Sequence, residues 1–310
     1  MKILKIGILG LSKGNGHPYS WVAIINGKYN KKEMNLCGYA GIPVYLNENQ
    51  ESLGIDGAQV THIWTQDRKL SEHIAKASYI DHIVDDAKDM IGKVDAVILA
   101  RDDPENHVKM SKPFLDAGIP IFIDKPLAIT QKDLNFFREQ QHKSKLFMSC
   151  SSMRYSIECS EAKQELSSIG KIELITVVGT KDWVKYGVHM LEALFALLDD
   201  PKAISVQNIG QKDKDIVSVI FENGLQATIH LFMDIAPTFQ LTIFGQKDWK
   251  FIEINNSYTM FKENLKEFIS SVREEKSRLS FDKTENIIKT LIGAKLSLEQ
   301  NGEIIILNNI

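Results

Sequence analysis

The turn Asp124-Lys125-Pro126 carries the residue types best suited to chemistry, and it directly follows the apolar run Ile119–Ile123. When a C–H bond gives up hydride, the neighbouring hydroxyl loses a proton, so a nearby group must accept that proton or stabilise the alkoxide. A lysine amine can do either, provided that burial or neighbouring charges adjust it. A surface lysine in a turn is the alternative. Proline restricts the residue before it to extended conformations, which suits a side chain held in one place.

A glycine-rich turn follows the first apolar run and reads GLSKGNGH from Gly10 to His17. Backbone N–H groups in such a turn, together with the N-terminus of the next helix, bind a pyrophosphate. The spacing is looser than GxGxxG and Ser12 replaces the second glycine, so the turn alone is equally consistent with a flexible connection. The β/α alternation and the Asp-Lys-Pro turn downstream favour a dinucleotide site. Its predicted contacts are Gly10, Ser12, Gly14, Asn15 and Gly16.

The end of the second predicted strand should distinguish NAD from NADP, because an acid there binds the ribose 2′-hydroxyl and an arginine accommodates a 2′-phosphate. Thr65 stands at the expected acid position, followed by Asp67 and Arg68. Asp67 favours NAD, although it could equally cap the helix that begins at Arg68. Both cofactors therefore stay open. The remaining predicted cofactor contacts are Thr65, Asp67, Arg68, Ala100, Asp124 and Lys125.

Apolar runs alternate with helical patterns over the first half, which predicts a Rossmann domain, a doubly wound parallel sheet with helices on both faces, over residues 1–150. The segment Gly27–Gly57 shows no clear periodicity and is expected to be a long loop that covers a cleft or forms a subunit contact. The predicted strands, in a six-strand set, include Leu4–Leu9, Val60–Trp64, Val94–Ala100, Ile119–Ile123 and Lys145–Ser149. The predicted helices are 18–26, 68–78, 104–118 and 131–141.

The second half consists largely of strands joined by short turns, which predicts a separate α+β domain with a mostly antiparallel open sheet over residues 151–310. Asn223-Gly224 suits the tight turn of a hairpin. The predicted strands are 172–178, 203–209, 216–222, 225–233, 239–244, 249–254 and 303–307. The predicted helices are 161–168, 187–198, 257–275 and 283–299.

Size and composition exclude several classes of protein. The chain has 310 residues, enough for two domains, since single cores seldom exceed about 250–300 residues. A net charge of −3 gives no electrostatic case for nucleic acid. No stretch approaches the about 20 apolar residues of a membrane span, and the start of the chain does not read as a secretory signal. The three cysteines lack metal-ligand spacing, so we expect no metal site and a reducing cytoplasmic location.

With these elements placed, the sequence resembles the Gfo/Idh/MocA family, which includes glucose-fructose oxidoreductase and inositol dehydrogenase. The resemblance implies an NAD(P)-dependent oxidoreductase acting on a sugar or sugar derivative. It implies that Lys125 lies near the nicotinamide and the substrate hydroxyl, and that Asp124, where the family usually has Glu, helps to orient it. The passages that carry the resemblance are Ile6–Gly10, VDAVILARDD ending at Asp103, Asn106-His107, Asp124–Ala128, Tyr186–His189 and Ala294–Leu307.

The resemblance also implies that His189 is a second catalytic residue, a proton-transfer group at the start of a helix. The family commonly has Asp-x-Gly-x-His there, whereas this chain has Lys185 in place of the acid. If the passage is helical, Lys185, His189 and Glu192 share one face. Glu192 or Asp182 could then supply the carboxylate, an anionic substrate could pair with Lys185 and Lys125, or redox chemistry could be lost. The predicted substrate contacts are Lys125, Arg154, Lys185, His189 and Glu192.

Two further kinds of function stay open on the same scaffold. One is a sensor that binds dinucleotide and sugar without catalysis, and the other is a cofactor-recycling epimerase or glycosidase. Alternation along Ile216–Ile220 and Ala227–Leu231 predicts a broad apolar sheet face of the kind that a partner covers. Because the family commonly associates through this face, we expect a homodimer or homotetramer.

Overall fold

Two sheets organise the chain, and the computed structural model describes residues 2–310. The first compact unit comprises the described residues up to Leu127 together with Phe136–Ser149 and Phe261–Leu279. The second unit comprises Ala128–Asn135, Cys150–Met260 and Ser280–Ile310. Residues 261–279, late in the sequence, thus belong with the first sheet. The predicted domain ranges, 1–150 and 151–310, stay a prediction.

The first sheet is entirely parallel. Its strands lie in the order β3-β2-β1-β4-β5-β6, which is the doubly wound Rossmann order and confirms the predicted fold class. The central strands are continuous apolar runs because both of their faces are buried. The third strand, missing from the predicted ranges, is too short to show a pattern. The strands are β1 (Leu4–Gly10), β2 (Ala58–Thr65), β3 (His82–Ile83), β4 (Ala96–Leu99), β5 (Ile121–Ile123) and β6 (Phe147–Met148).

Helices connect these strands, and most begin or end where the sequence predicts. The helix over Arg68–Ser78 begins after Asp67, whose side chain accepts a hydrogen bond from the backbone N–H of Lys69. The first helix ends at Gly27, which adopts a left-handed conformation. The helices are α1 (His17–Asn26), α2 (Lys31–Met34), α3 (Gly41–Glu48), α4 (Arg68–Ser78), α5 (His107–Asp116) and α6 (Gln131–His142).

The expectation of a long loop over Gly27–Gly57 is wrong. The segment contains α2 and α3, and it returns to α1 where the backbone N–H of Gly54 donates to the carbonyl of Ile24. Met34 and Leu46 are fully buried. Helices of four and eight residues are too short to show a 3.6-residue period in the sequence, which is why the pattern gave no sign of them.

The second sheet is mostly antiparallel, as predicted, with the order β12-β11-β7-β10-β9-β8-β13. Its one parallel pair among the described strands is β7 with β10. The strands are β7 (Ile172–Thr180), β8 (Ala203–Asn208), β9 (Lys214–Phe221), β10 (Gln226–Phe232), β11 (Phe239–Gly245), β12 (Trp249–Glu253) and β13 (Ile305–Ile306). The remaining helices are α7 (Ile157–Glu165), α8 (Val188–Leu197), α9 (Ser257–Arg273) and α10 (Phe281–Glu299).

One face of this second sheet is buried and the other is open. On β10, Ala227, Ile229 and Leu231 are fully buried, so the alternation that predicted an open apolar face marks the core instead. The opposite face of that strand carries Thr228 and His230, which are half-buried. The predicted apolar face is therefore wrong for β10, because alternation shows which residues share a face without showing which face is covered.

Candidate functional site

The carboxyl ends of β1, β4 and β5 bring the candidate residues of the first unit together. Strands β1 and β4 are neighbours, and the chain order reverses between them, which is where doubly wound sheets bind ligands. The glycine-rich turn follows β1, Asp102 follows β4, and Asp124 and Lys125 follow β5. The fold thus gathers three loops at one edge of the sheet.

Three positions of the turn hold glycine, and the physical reason differs between them. A Cβ on Gly10 would lie 2.5 Å from Cγ of Pro18, and one on Gly16 would lie 2.6–2.8 Å from Ile42 and Tyr39, so both permit close packing. Gly14 has φ +86°, where glycine is favoured, and a Cβ there would meet no atom within 4 Å. The turn is therefore packed at both ends and open at its middle, as a loop that receives a phosphate group must be.

Asp124 is almost fully buried and joins the glycine-rich turn to Lys125. One carboxylate oxygen, Oδ2, accepts a hydrogen bond from Nδ2 of Asn15 at 2.8 Å and lies 2.6 Å from Nδ1 of His17. The other, Oδ1, accepts from the backbone N–H of Lys125 at 2.8 Å. Burial raises the pKa of Asp124, but His17, Lys125 and Asn15 outweigh that effect and hold the pKa far below its usual range. Asp124 is thus a fixed anion. The Lys125–Pro126 peptide bond, which follows it in the chain, is cis.

This depressed pKa predicts a pH-dependent stability. Ionised Asp124 stabilises the fold above its unfolded-state pKa of 3.8, and that contribution is lost as the pH falls from there toward the lower folded-state pKa. We expect Asp124→Asn to lower the free energy of unfolding by about 1–3 kcal/mol at neutral pH, because buried partners lose their acceptor. The deficit should shrink below about pH 4. Urea unfolding over a pH series measures it, with exposed Asp116→Asn as the control; a deficit that is constant with pH would contradict this assignment.

His17 is the first residue of α1 and directly follows the last glycine of the glycine-rich turn. Its ring stacks on Trp21 with 4.1 Å between ring centroids, and it meets the edge of Phe261 at 5.3 Å. Together with the carboxylate of Asp124, these rings fix the imidazole beside the glycine-rich turn. A histidine immediately after a glycine-rich turn was the signal that could have marked it.

Lys125 is buried and lies near a second acid, Asp102, which sequence reasoning missed. The Lys125 Nζ atom is 3.7 Å from Oδ2 of Asp102. The other oxygen of Asp102 accepts a 2.5 Å hydrogen bond from Oγ of Ser12, and Ser12 in turn accepts from the backbone N–H of Asp102 at 3.0 Å. Ser12, predicted as a cofactor contact, therefore uses its hydroxyl to fix this acid. The available signal was an acid placed just beyond a fully buried strand.

The end of β2 presents no free acid at the expected position. Thr65 is buried and its hydroxyl donates to the carbonyl of Asp67 at 2.6 Å. Asp67 caps α4, as the alternative interpretation held, and Arg68 pairs with Glu72 and Asp85. Because all three side chains already have partners in the protein, this end of the strand does not distinguish NAD from NADP.

Gln66, which the sequence analysis passed over, connects the loops after β1, β2 and β4. Its side chain accepts from the backbone N–H of Leu11 at 3.0 Å and donates to the carbonyl of Leu11 at 2.7 Å. Arg101 donates to the same Gln66 oxygen at 3.0 Å and also binds Asp103. Ala100 is fully buried, with its backbone N–H bonded to the carbonyl of Leu9. These contacts fix the three loops at the sheet edge.

His107 is fully buried, which assigns it a structural position. Its Nδ1 lies 3.1 Å from the carbonyl oxygen of Leu127, and its Nε2 lies 2.8 Å from that of Arg101. The ring thus joins the loop after β4 to the loop that carries Lys125, so its contribution to the site is to hold these loops in place.

In the second unit, His189 lies at the start of α8 and is half-buried while its neighbours in the helix face the core. Its Nδ1 is 2.5 Å from Oγ of Ser151. The rings of Tyr186 and Phe239 lie nearby, with centroids 5.2 and 6.5 Å from the imidazole. Lys181 completes the group, with Nζ 2.5 Å from the hydroxyl of Tyr186. His189 therefore lies off the buried face of α8.

Arg154 and Glu192, predicted as substrate contacts, instead form a buried ion-pair network. Nε of Arg154 donates to Glu192 at 2.5 Å, and its two terminal nitrogens bind Asp200 at 2.7 and 3.1 Å. Burial raises the pKa of Glu192, which Arg154 opposes. The Arg154 side chain is 6% exposed and the Glu192 side chain 1%, so each group already has a buried partner. Their roles as substrate contacts, and that of Glu192 as a replacement for the family acid, stay predictions.

The predicted common face of Lys185, His189 and Glu192 is also wrong. Residues Trp183–Gly187 form a π-helical turn, and the α-helix begins at Val188, so i, i+4 spacing does not apply across the junction. Asp182 begins this turn, accepting from the backbone N–H of Lys185 at 3.0 Å. Lys185 itself is half-buried.

Residues 2–310 include neither a cluster of metal-ligating side chains nor a helix suited to span a membrane. No group of three or more His, Cys, Asp or Glu side chains is arranged to hold a metal ion. None of the helices in the same range combines the length and apolar character of a membrane span.

The sheet order and the residues at its edge define a dinucleotide-binding protein of the Rossmann class. Residues 36–151 match the model of the Gfo/Idh/MocA family, described as an oxidoreductase family with an NAD-binding Rossmann fold. This match over part of the chain confirms the resemblance, the predicted class of enzyme and the predicted nicotinamide cofactor. The match includes Asp102 and Asp124–Pro126 and begins beyond the glycine-rich turn.

Solved structures share the fold of the whole chain. A probable dehydrogenase from Thermotoga maritima has a TM-score of 0.78 at 15% identity, covering 99% of this chain and 100% of its own. The Lactobacillus casei scyllo-inositol dehydrogenase, solved with NAD(H) and scyllo-inositol, gives 0.75 at 15%, covering 99% and 100%. A putative NADPH-dependent oxidoreductase from Desulfitobacterium hafniense gives 0.79 at 12%, covering 100% and 99%. No curated protein sequence matches.

Proposed function

We propose that the protein is an NAD(P)-dependent oxidoreductase that transfers hydride between a nicotinamide cofactor and a sugar or sugar derivative. The observation that carries this proposal is the buried cluster at the carboxyl ends of β1, β4 and β5, where Ser12 and Asn15 of the glycine-rich turn bind the two acids beside Lys125. A cluster at this switch point suits a dinucleotide. The scyllo-inositol dehydrogenase of the same fold supports a polyhydroxylated substrate.

The residues of the first unit fit a dinucleotide in distinct ways. The open middle of the turn at Gly14 leaves space for a pyrophosphate, which backbone N–H groups and the start of α1 would hold. Asp124 fixes the backbone of Lys125, and Lys125 would lie beside the nicotinamide, near the substrate hydroxyl. The nicotinamide, when bound, supplies the hydride donor or acceptor.

In the second unit, we assign proton transfer to His189. Ser151 holds one ring nitrogen of His189, which sets the orientation of the imidazole as general acid–base catalysis requires. Lys185, standing where the family has an acid, favours a substrate that carries negative charge, such as a sugar acid. Glu192 is bound to Arg154 and is therefore not available to neutralise Lys185. This pairing supports a negatively charged substrate.

A screen of NAD⁺ and NADP⁺ against inositols, aldoses and sugar acids tests this function through the absorbance of reduced nicotinamide. We expect turnover with a sugar or sugar acid, and quenching of tryptophan fluorescence when either reduced cofactor binds. If the protein binds neither cofactor, the proposal is rejected.

The replacement of the family acid by Lys185 supports one alternative, a sensor that binds dinucleotide and sugar without catalysis. The Glu192 carboxylate is bound to Arg154. The second unit therefore has one fewer carboxylate for catalysis than the sequence suggests. Sugar binding, detected by calorimetry, without hydride transfer in the same screen would favour this sensor over the enzyme.

We further propose a homodimer or homotetramer formed through the open face of the second sheet. Leu174, Phe244 and Trp249 are cross-strand neighbours on β7, β11 and β12, and each is at least 38% exposed. A contiguous row of large apolar side chains usually marks an interface. We expect Trp249→Glu to convert the assembly to monomers in light scattering, and Ile209→Glu, which alters an exposed residue outside the row, to leave it intact. A wild-type monomer at micromolar concentration would contradict the proposal.

A further inference from the structure

The loop after β4 contains two consecutive acids whose surroundings differ. Asp103 binds Arg101 through both carboxylate oxygens and also accepts from Asn106, so its charge is neutralised within its own loop. Asp102 turns toward other loops and is 8% exposed. A buried carboxylate is costly unless it is paired and hydrogen-bonded. The partners of Asp102 therefore indicate what it does.

The two carboxylate oxygens of Asp102 divide between the glycine-rich turn and the lysine. Oδ1 accepts from the hydroxyl of Ser12, and that hydroxyl also receives the backbone N–H of Asp102, which closes a small ring. Oδ2 is 3.7 Å from Nζ of Lys125. Ser12 thus fixes the orientation of the carboxylate, and the carboxylate presents one oxygen to the ammonium group.

Titratable groups around this pair include Asp124, His17 and Tyr39. Asp124 binds the backbone of Lys125, and His17 pairs with Asp124. Burial, with Cys37 and Asp102, raises the pKa of Tyr39, so Tyr39 is a neutral phenol near the acid. Asp102 thus places a carboxylate oxygen 3.7 Å from Nζ of Lys125, while Asp124 binds the backbone of Lys125.

We propose that Asp102 is a positioning residue that holds Lys125 as an ammonium group at a fixed place, so that Lys125 binds the reacting oxygen as a cation and does not accept its proton. The proposal rests on the proposed function and assigns the role that the lysine chemistry left open. An opposite charge within about 4–6 Å favours the charged form of a buried group. An ammonium group has no lone pair with which to take a proton.

The chemical step balances with this division of roles. In the oxidative direction a bound nicotinamide would accept the hydride released as the substrate C–H bond breaks, while the O–H bond would break and a C=O bond would form. The ammonium of Lys125 stabilises the developing negative charge on that oxygen. The proton goes to a separate base, the role proposed above for the imidazole of His189.

Chemical labelling of Lys125 over a pH series tests the proposal without a substrate. Acetic anhydride reacts with neutral amines, and mass spectrometry of peptides gives the labelling rate at Lys125 and at exposed Lys109 as an internal reference. We expect Asp102→Asn to increase the labelling rate of Lys125 at neutral pH about tenfold or more, because the ammonium loses a carboxylate that lies 3.7 Å from it. Asp103→Asn, the matched control, should leave the rate unchanged, and Asp102→Glu should stay close to wild type.

An unchanged Lys125 rate in folded Asp102→Asn would overturn the proposal. If that variant does not fold, the wild-type series decides: a labelling midpoint for Lys125 at or above that of Lys109 supports the ammonium, and a midpoint one pH unit or more below it overturns the proposal. Titration with NADH and with NADPH, followed by fluorescence, is run in parallel. A wild type that binds neither NADH nor NADPH would contradict the proposed function, whereas cofactor binding together with an unchanged Asp102→Asn rate would reject this inference alone.

Discussion

Lys125→Met is expected to reduce kcat/KM by about 10²–10⁴-fold with any substrate found in the screen, while NADH binding stays within a few-fold of wild type. Methionine keeps much of the buried stem, so the variant removes the charge with little loss of packing. The effect should appear in kcat, because the ammonium acts on charge that develops in the transition state.

The matched control for this variant is Lys109→Met, which changes an exposed lysine on α5. Circular dichroism and thermal unfolding establish that both variants fold. Lys125→Arg adds a second comparison, since a guanidinium retains the charge but not the compact shape of the ammonium group, and we expect it to recover a small part of the activity. Turnover of folded Lys125→Met at the wild-type rate would show that Lys125 has no catalytic role.

Arg154→Met is expected to lower the free energy of unfolding by about 3–5 kcal/mol, the usual cost of removing one partner from a buried ion pair. Glu192 and Asp200 would both lose the guanidinium, and Glu192 is fully enclosed. Urea unfolding measures the change. Arg278→Met, which removes an exposed guanidinium from Glu274 and Glu267, should have little effect.

This second experiment also separates two roles for Arg154. If Arg154 contacts the substrate, as the sequence resemblance implies, the Arg154→Met variant should lose substrate affinity. Its free energy of unfolding should then stay nearly unchanged. The buried network predicts the opposite result, a large loss of stability. If Arg154→Met unfolds at the wild-type urea concentration, the structural assignment is incorrect.

The sequence predicted those features that depend on local pattern. Buried parallel strands are continuous apolar runs, so β1 and β4 could be located, and the helix over Arg68–Ser78 was predicted with both of its ends. The turn at Lys125 could be placed at the end of β5 for the same reason. These features required no knowledge of distant partners.

The contacts that could not be predicted from the sequence share a different cause. Ser12 and Asp102 are 90 positions apart, and Arg154 and Glu192 are 38 apart, so their pairing depends on the path of the chain through the fold. A charged residue in a sequence looks the same whether it faces a substrate or a buried counter-ion. The π-helical turn before α8 changed the face on which Lys185 lies, and helical spacing could not anticipate it.

The central claim is that a nicotinamide dinucleotide binds at the glycine-rich turn with its nicotinamide beside Lys125. A crystal structure with NADH bound tests it most directly. We expect the pyrophosphate on the backbone of the turn between Gly10 and His17, and Nζ of Lys125 next to the nicotinamide ring, on the side from which a substrate oxygen would approach. NADH bound away from this turn, or a nicotinamide distant from Lys125, would contradict the account.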